Sequence, residues 1–332
     1  ILTQNTWKMK PKTKVGVIGA GGISSGVHLP LLSCIDNVSI EFIADTINPE
    51  ILAKTYNTRS IKINDISSLP NCDIVLLAIP VGVKEEYIRE FSKRNTYIFT
   101  EKPFAIDLET HKNFLKLSNK ISCNYMRIYY NSTRQIKNII SSGVFGPLKK
   151  VSITEGGIIG KTGRSKNSYQ ADPKLSGGGM LMETSCHTFS QLAFLFNNIS
   201  VREAKIVWED DFDVEFNVIL DVCDNVPFSI DYTGTMLKPI ENNATFFFEH
   251  TKIQFNHLIP DSIFTISSFD SEKQFIIEQE DHFASTFAQA YYLKWKDFLN
   301  QMSKGSAIDT EFETSIMTTK MITDIMQKGN RK

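Results

Sequence analysis

The sequence predicts an α/β protein made of a doubly wound parallel sheet followed by an α+β domain with a large open, mainly antiparallel sheet. Three observations carry that expectation. Short apolar runs alternate with helical stretches as far as residue 126. A glycine-rich turn, GAGGISSGVHLP at 19–30, directly follows the first of those runs. Beyond Gly143 the texture changes to long segments in which polar and apolar residues alternate, the period of a strand with one wet and one dry face.

In the first half the strand-like runs are KVGVIG (14–19), SIEFIA (39–44), DIVLLAIP (73–80), NTYIFTEKP (95–103) and ISCNYM (121–126). Helix-like stretches fill the intervals at 22–35, 48–56, 82–93 and 107–119, the last opened by Asp107 as an N-cap. Short apolar strands separated by helices of about a dozen residues imply a parallel sheet covered on both faces.

A helix reads through NSTRQIKNIISSG and stops at Gly143. Extended segments come next: LKKVSITEGGII, AKIVWEDDFDVEFNVILDVC, PFSIDYTGTML, ATFFFEHTKIQF and SIFTISSF. One helical stretch, METSCHTFSQLAFLF, interrupts them, and helices at 283–302 and 310–328 close the chain. The division is expected at 1–126 and 127–332, the two domains abutting near residues 124 to 130. An open sheet carrying Phe246, Phe248, Ile253 and Phe255 needs a cover, so a homodimer or homotetramer through this sheet is expected.

The 332 residues suit two domains, and 42% of them are apolar. Formal net charge is −1 with the charges interspersed, so neither a nucleic acid nor a membrane surface is an expected partner. Small molecules or other protein chains are. The five cysteines stand far apart without a CxxC pair, against a disulfide framework or a zinc site. No metal is expected, and with no secretory-type apolar leader in ILTQNTWKMKPKTK the cytoplasm is the expected location.

Three motifs carry chemistry. In GAGGISS the spacing GxGxxG falls on Gly19, Gly21 and Ser24, a serine standing at the third glycine. After a strand and before a helix, such a turn offers backbone amides and a helix N-terminus to a pyrophosphate. A glycine turn serving only its own geometry is the competing reading. Asp45 ends the second run, where an acid meets adenosine ribose hydroxyls and repels a 2′-phosphate, favouring NAD over NADP. Gly22 and Ile23 in the turn, Ile79 and Pro80 at the end of the third run, and Glu101 with Lys102 complete the candidate cofactor contacts. TEKPF (100–104) ends a strand at the carboxyl edge of the sheet, placing Lys102 as a functional cation. In SGGGMLMETSCHTF (176–189) three glycines allow close backbone approach to a ligand, and the helix after them carries Glu183 and His187 four residues apart. A carboxylate so placed orients the imidazole and supports its protonated form, which is acid/base equipment near neutral pH.

GAGGIS with HLP, then EKP, then NYMRIYY (124–130), then DP with SGGGMLMETSCH (172–187), in this order and spacing, resemble the Gfo/Idh/MocA oxidoreductase family over nearly the whole chain. The resemblance implies an N-terminal Rossmann domain that binds a nicotinamide dinucleotide. It implies a C-terminal sheet that helps form a sugar pocket and packs into dimers or tetramers. The family's EKP lysine matches Lys102, and its DxGxHxxD segment falls on Glu183, Ser185, His187 and Ser190, so one acid is lengthened and another lost.

The activity implied by the resemblance is that of an NAD(P)-dependent sugar or polyol dehydrogenase acting on a free sugar, a polyol or a nucleotide-sugar. His187 would take the hydroxyl proton, Lys102 would stabilise the alkoxide, and Glu183 would orient His187 or hold a neighbouring hydroxyl. Arg127, Arg164, Tyr169 and His187 are the candidate substrate contacts. The family also contains NAD-dependent glycosidases acting by transient oxidation, and dinucleotide-binding regulators without catalysis. Both remain alternatives at the level of sequence.

Overall fold

A computed structural model describes residues 12–157, 168–224, 226–268, 271–275, 283–305 and 312–329. Its first sheet contains β1 (Thr13–Ile18), β2 (Val38–Asp45), β3 (Arg59–Lys62), β4 (Ile74–Leu77), β5 (Tyr97–Thr100) and β6 (Ile121–Cys123). They lie in the order β3-β2-β1-β4-β5-β6 with every pairing parallel. The order reverses between β1 and β4, whose ends meet where Ile18 pairs with Leu77. Ligands of open parallel sheets bind in the crevice beyond such a switch point. Strand β3 is the element that hydrophobic patterning missed: RSIK is an edge strand with mostly exposed side chains and no apolar run.

Helices α1 (Leu29–Ser33), α2 (Glu50–Thr55), α3 (Lys84–Lys93) and α4 (Leu108–Leu117) flank this sheet. The Asp107 carboxylate caps α4 by accepting from the Thr110 amide at 2.7 Å, as its position before an apolar-periodic stretch predicts.

After α5 (Asn131–Ser142) the second sheet begins with β7 (Leu148–Gly156). The short α6 (Pro173–Ser176) and then α7 (Cys186–Leu195) precede β8 (Ile199–Glu209), β9 (Phe212–Val222), β10 (Phe228–Thr235), β11 (Asn243–Phe248), β12 (Thr251–Phe255), β13 (Phe264–Ser268) and β14 (Ser271–Phe275). The order is β14-β13-β12-β11-β7-β10-β9-β8, antiparallel except for β7 beside β10. Asp210, at φ 53°, turns the chain between β8 and β9, a left-handed conformation that aspartate tolerates.

One face of this sheet is dry within a single chain. Phe246, Phe248, Ile253 and Phe255 are buried in the core cluster that also holds Phe189 and Leu192 of α7 and Ile136 of α5. The expected need for a second copy to cover those four residues is therefore corrected: their cover is the chain's own helices. On the alternate positions stand Lys150, Ser152, Asp231, Thr233 and Asn217, together with the apolar Ile219 and Phe247.

Two helices end the chain, α8 (Phe287–Ser303) and α9 (Phe312–Lys328). Helix α8 comes after the second sheet in sequence yet packs on the first. Trp295 and Phe298 join Val15, Val17, Leu76 and Phe99 in one buried cluster, and the Trp295 and Phe99 rings stack at 4.0 Å. Burying each such aromatic contributes about 2 kcal/mol or more. Helix α9 packs on α7, β8 and α4, where Thr319 meets His111 at 2.8 Å. Among the described residues no helix is long and apolar enough to cross a membrane.

Candidate active site

The glycine turn leaves β1 at the switch point. Gly19 has φ +98°, and a Cβ there would stand 2.2 Å from the Ala78 carbonyl oxygen, so the turn itself requires this glycine. Gly21 and Gly22 are different: a Cβ on either meets nothing within 4 Å, and both residues are exposed. Ser24, at the third position of the motif, is fully buried and donates its hydroxyl to the Gly19 carbonyl at 2.6 Å, closing the loop from inside. Residues Ser24–His28 form a π-helical turn leading into α1, a widening common at functional sites. Ile23 at its start and Ile79 and Pro80 beyond β4 are half-buried around this turn. The half-buried Asp45 accepts from the Ala20 amide at 2.7 Å and from the Ile47 amide at 2.9 Å. It thus ties β2 to the glycine turn, and Lys62 of β3 stands opposite it in register.

At the end of β5 the Lys102–Pro103 peptide is cis. The Glu101 carboxylate is bonded within the protein: Oε1 accepts from His28 Nε2 and Asn124 Nδ2, each at 2.7 Å, and Oε2 from the Lys102 amide at 3.1 Å. Burial alone would raise its pKa, but the hydrogen bonds from His28 and Asn124 outweigh burial and hold it below the usual carboxylate value. The buried Lys84 of α3 donates to the carbonyls of Glu101 and Pro103 on either side of Lys102, and burial lowers its ammonium to about 8. Lys102 is left half-buried, its Nζ donating to the Glu183 carbonyl at 2.7 Å.

The SGGG glycines are used by the fold. Gly177 and Gly178 have φ of +81° and +149°, and a Cβ on Gly179 would lie 2.1 Å from the Asp213 carbonyl oxygen. The buried Asp213 carboxylate accepts from the amides of Gly179 at 2.6 Å and Leu181 at 2.7 Å. In place of the expected close approach to a ligand, these glycines have reasons within the fold: positive φ at Gly177 and Gly178, and close packing of Gly179 on β9.

A second π-helical turn, Leu181–Ser185, carries Glu183 and precedes α7, which carries His187. The wider turn takes residues i and i+4 out of the vertical register of an α-helix. His187 is buried, and its Nδ1 has no hydrogen-bond partner among the described residues, so no carboxylate braces the ring there. Burial first, then the charges of Arg127 and Lys102, push its pKa well below the ordinary histidine value. The expected support for a protonated imidazole is corrected: the surroundings favour the neutral ring. Ser190 donates at 2.6 Å to the His187 carbonyl, a helix-internal bond in place of an acid.

The structure brings Lys102, His187, Glu183, Arg127 and Tyr169 to one place. Arg127 acts electrostatically on His187, and Lys102 and Glu183 act on Tyr169, which is 47% exposed on the turn before α6. Arg164 lies outside the described residues. Among the described residues no cluster of His, Cys, Asp and Glu has the form of a metal site.

Two family models match the chain: "Oxidoreductase family, NAD-binding Rossmann fold" over residues 13–129, and the GFO/IDH/MocA C-terminal domain over residues 133–254. The chain belongs to the Gfo/Idh/MocA oxidoreductase family. It is similar to inositol 2-dehydrogenase of Rhizobium meliloti (strain 1021), with 24% identity over 188 residues, 55% of this chain and 54% of that protein. It is also similar to inositol 2-dehydrogenase/D-chiro-inositol 3-dehydrogenase of Lactiplantibacillus plantarum, 26% identical over 148 residues, 40% of this chain and 41% of that protein. The chain thus spans about half the length, or less, of these curated relatives. Among solved structures, KijD10, a 3-ketoreductase from Actinomadura kijaniata in complex with NADP and TDP-benzene, superposes with a TM-score of 0.83 at 16% identity. That match covers 96% of this chain and 98% of the other. Levoglucosan dehydrogenase in complex with NADH and L-sorbose gives 0.82 at 15% identity over 96% and 97% of the two chains.

For a Gfo/Idh/MocA member, the residues that sequence reading missed are those that hold others. His28 lies in the quoted HLP, but nothing in the sequence says that it reaches Glu101. Lys84 carries no signal at all. Glu155 does: in LKKVSITEG it takes the inward position after Val151 and Ile153, so an acid replaces the next apolar residue of the alternation. It is buried with Thr188 donating at 2.6 Å, the Tyr232 hydroxyl bonded to it, His257 at 3.8 Å and Arg127 at 3.9 Å. Burial opposes its ionisation, yet His257, Arg127 and Thr188 prevail and bring it down to about 2.

Proposed function

We propose that this chain is a nicotinamide-dependent dehydrogenase of sugars or polyols that prefers NAD. The observation that carries the reading is the meeting of Lys102 and His187 beside a glycine turn whose Gly21 and Gly22 have no internal reason to lack side chains. A dinucleotide supplies that reason. Its pyrophosphate fits the open backbone and helix start at Gly21, Gly22 and Ile23, its adenosine ribose fits Asp45, and Ile79 and Pro80 flank the way to the site.

Nicotinamide, when bound, supplies the hydride acceptor. The chain's own residues handle the proton and the charge. A neutral His187 accepts the hydroxyl proton of the substrate as the carbon is oxidised. Lys102 and Arg127 give that pocket a positive field, which favours the developing alkoxide and disfavours a lasting imidazolium. Glu183 presents its main-chain carbonyl to Lys102 and so sets where the ammonium stands. The chemical class of substrate is taken from the relatives, among them inositol dehydrogenases.

One observation favours the other cofactor: Lys62 stands beside Asp45 and would welcome a 2′-phosphate. The turn itself, Asp45-Thr46-Ile47-Asn48-Pro49-Glu50, offers no cation, and Ile47 and Ile51 are exposed beside it as an apolar rest for adenine. The test is a panel of inositols, free sugars, anhydrosugars and nucleotide-sugars, run with NAD and NADP in parallel and monitored by the absorbance of reduced nicotinamide. Turnover of at least one sugar or polyol with NAD is expected. Binding of neither cofactor would overturn the reading.

A further inference from the structure

Lys102 sits next in sequence to the buried Glu101 carboxylate, which is bonded by groups from elsewhere in the fold. The chain of bonds begins on α8. Trp295 Nε1 approaches His28 Nδ1 at 3.0 Å, and an indole nitrogen can only donate. His28 Nδ1 is therefore the acceptor and carries no proton. The ring proton is thus on Nε2, which donates to Glu101 Oε1 at 2.7 Å. The ring is held from its edges: His28 is fully buried against Phe99, Tyr291 and Trp295, with centroids 6.0, 5.3 and 6.0 Å away. With Asn124 also on Oε1 and the Lys102 amide on Oε2, the acceptors of Glu101 are taken up inside the protein.

We propose that His28, its tautomer set by Trp295, is a positioning residue for Lys102: it occupies the Glu101 carboxylate so that the neighbouring ammonium stays directed at the substrate side. A buried carboxylate that loses a donor must find another, since an unpaired buried charge is costly. Two ammonium groups interact electrostatically with Glu101; Lys84 is already bonded to the carbonyls of Glu101 and Pro103, which leaves Lys102 as the cation to recruit. Without His28, Glu101 recruits that ammonium, and the site loses both its place and its free charge. The arrangement also ties three parts of the fold to one atom: the helix that leaves the glycine turn, the end of β5, and α8 from the far end of the chain.

This inference rests on reading Lys102 as the site cation, and its test is built to separate the two. His28→Leu removes the donor, His28→Gln keeps an amide donor, and Trp295→Phe removes only the group that sets the tautomer. In each folded full-length variant, lysines are labelled by reductive methylation with ¹³C-formaldehyde, and the Lys102 resonance is assigned by its loss in Lys102→Arg. The resonance is expected to move in His28→Leu, to move less in Trp295→Phe, and to return at least halfway in His28→Gln. NADH affinity, read by fluorescence titration, is expected to stay within about threefold. With whichever sugar or polyol the wild type oxidises as probe, kcat is expected to fall about 10- to 100-fold in His28→Leu with KM changed less than about threefold. If His28→Leu fails to fold, Trp295→Phe decides. An unmoved Lys102 resonance in either variant overturns the proposal, as does a loss of NADH affinity equal to the loss of kcat. A wild type that turns over nothing in the panel defeats the functional reading but leaves the resonance arm to decide this one.

Discussion

The two glycine clusters of this chain look alike in sequence and do opposite things. In Gly177–Gly179 the fold accounts for every glycine: two have positive φ, and the third presses on β9 with Asp213 bonded across it. In Gly19–Gly22 only Gly19 is explained that way, while Gly21 and Gly22 face open space. In the Gly177–Gly179 cluster the protein itself leaves no place for a side chain; at Gly21 and Gly22 it does leave one. Only the structure tells the two cases apart.

The largest effect should come from breaking the cluster that serves the fold. Gly179→Ala puts a methyl against the Asp213 backbone, which cannot move like a side-chain tip, and a loss of about 3 kcal/mol or more in urea unfolding is expected. Asp213→Ala leaves the amides of Gly179 and Leu181 without their partner, at about 1–3 kcal/mol each. Gly21→Ala, by contrast, should leave stability within about 0.5 kcal/mol. Equal destabilisation by Gly21→Ala and Gly179→Ala would erase the distinction.

Next in size are two site side chains, Lys102 beyond the end of β5 and His187 on the helix after Gly177–Gly179. Lys102→Ala and His187→Ala should each lower kcat by about 10² or more, with NAD affinity retained in calorimetry. The direction of the His187 shift also sets a pH profile. Because its pKa is pushed down, the neutral, proton-accepting ring is the populated form throughout the neutral range. The acid limb of kcat/KM for oxidation should therefore lie below about pH 6.5, the ordinary histidine value, and a limb at or above that value would contradict the electrostatics described.

The smallest effect concerns which dinucleotide the first cluster takes. Asp45→Asn keeps an acceptor for the Ala20 amide but removes the charge, so the NADP to NAD affinity ratio should rise about tenfold, or about 1.4 kcal/mol. Lys62→Glu should shift it the other way. A wild type preferring NADP about tenfold would show that Lys62, not Asp45, sets the choice.

Much of this was legible in the sequence because period and punctuation are local. The apolar runs placed five of the six parallel strands, and Asp107 capped the helix it precedes. β3 escaped because an edge strand needs no apolar run. The motifs located Lys102, His187, Asp45 and the glycine turn. They did not show that Glu101 is bonded to His28, that Glu183 lies in a π-turn, or that Phe246 and Phe255 are covered by α5 and α7 of their own chain. Those facts depend on partners distant in sequence, and no spacing within a motif encodes them. His28 stands 73 residues from Glu101, and Asp213 stands 34 from Gly179.

Whether Gly21 and Gly22 are bare for the sake of a dinucleotide is decided most directly by a calorimetric titration of NAD into the wild type and Gly21→Val, with the melting temperature of each recorded beside it. Clear NAD binding by the wild type is expected, with an affinity at least about a hundredfold weaker in the variant, a difference of about 2.7 kcal/mol or more. The two melting temperatures should agree to within a few degrees. Unchanged NAD affinity in a Gly21→Val protein that melts like the wild type would contradict this reading of the turn.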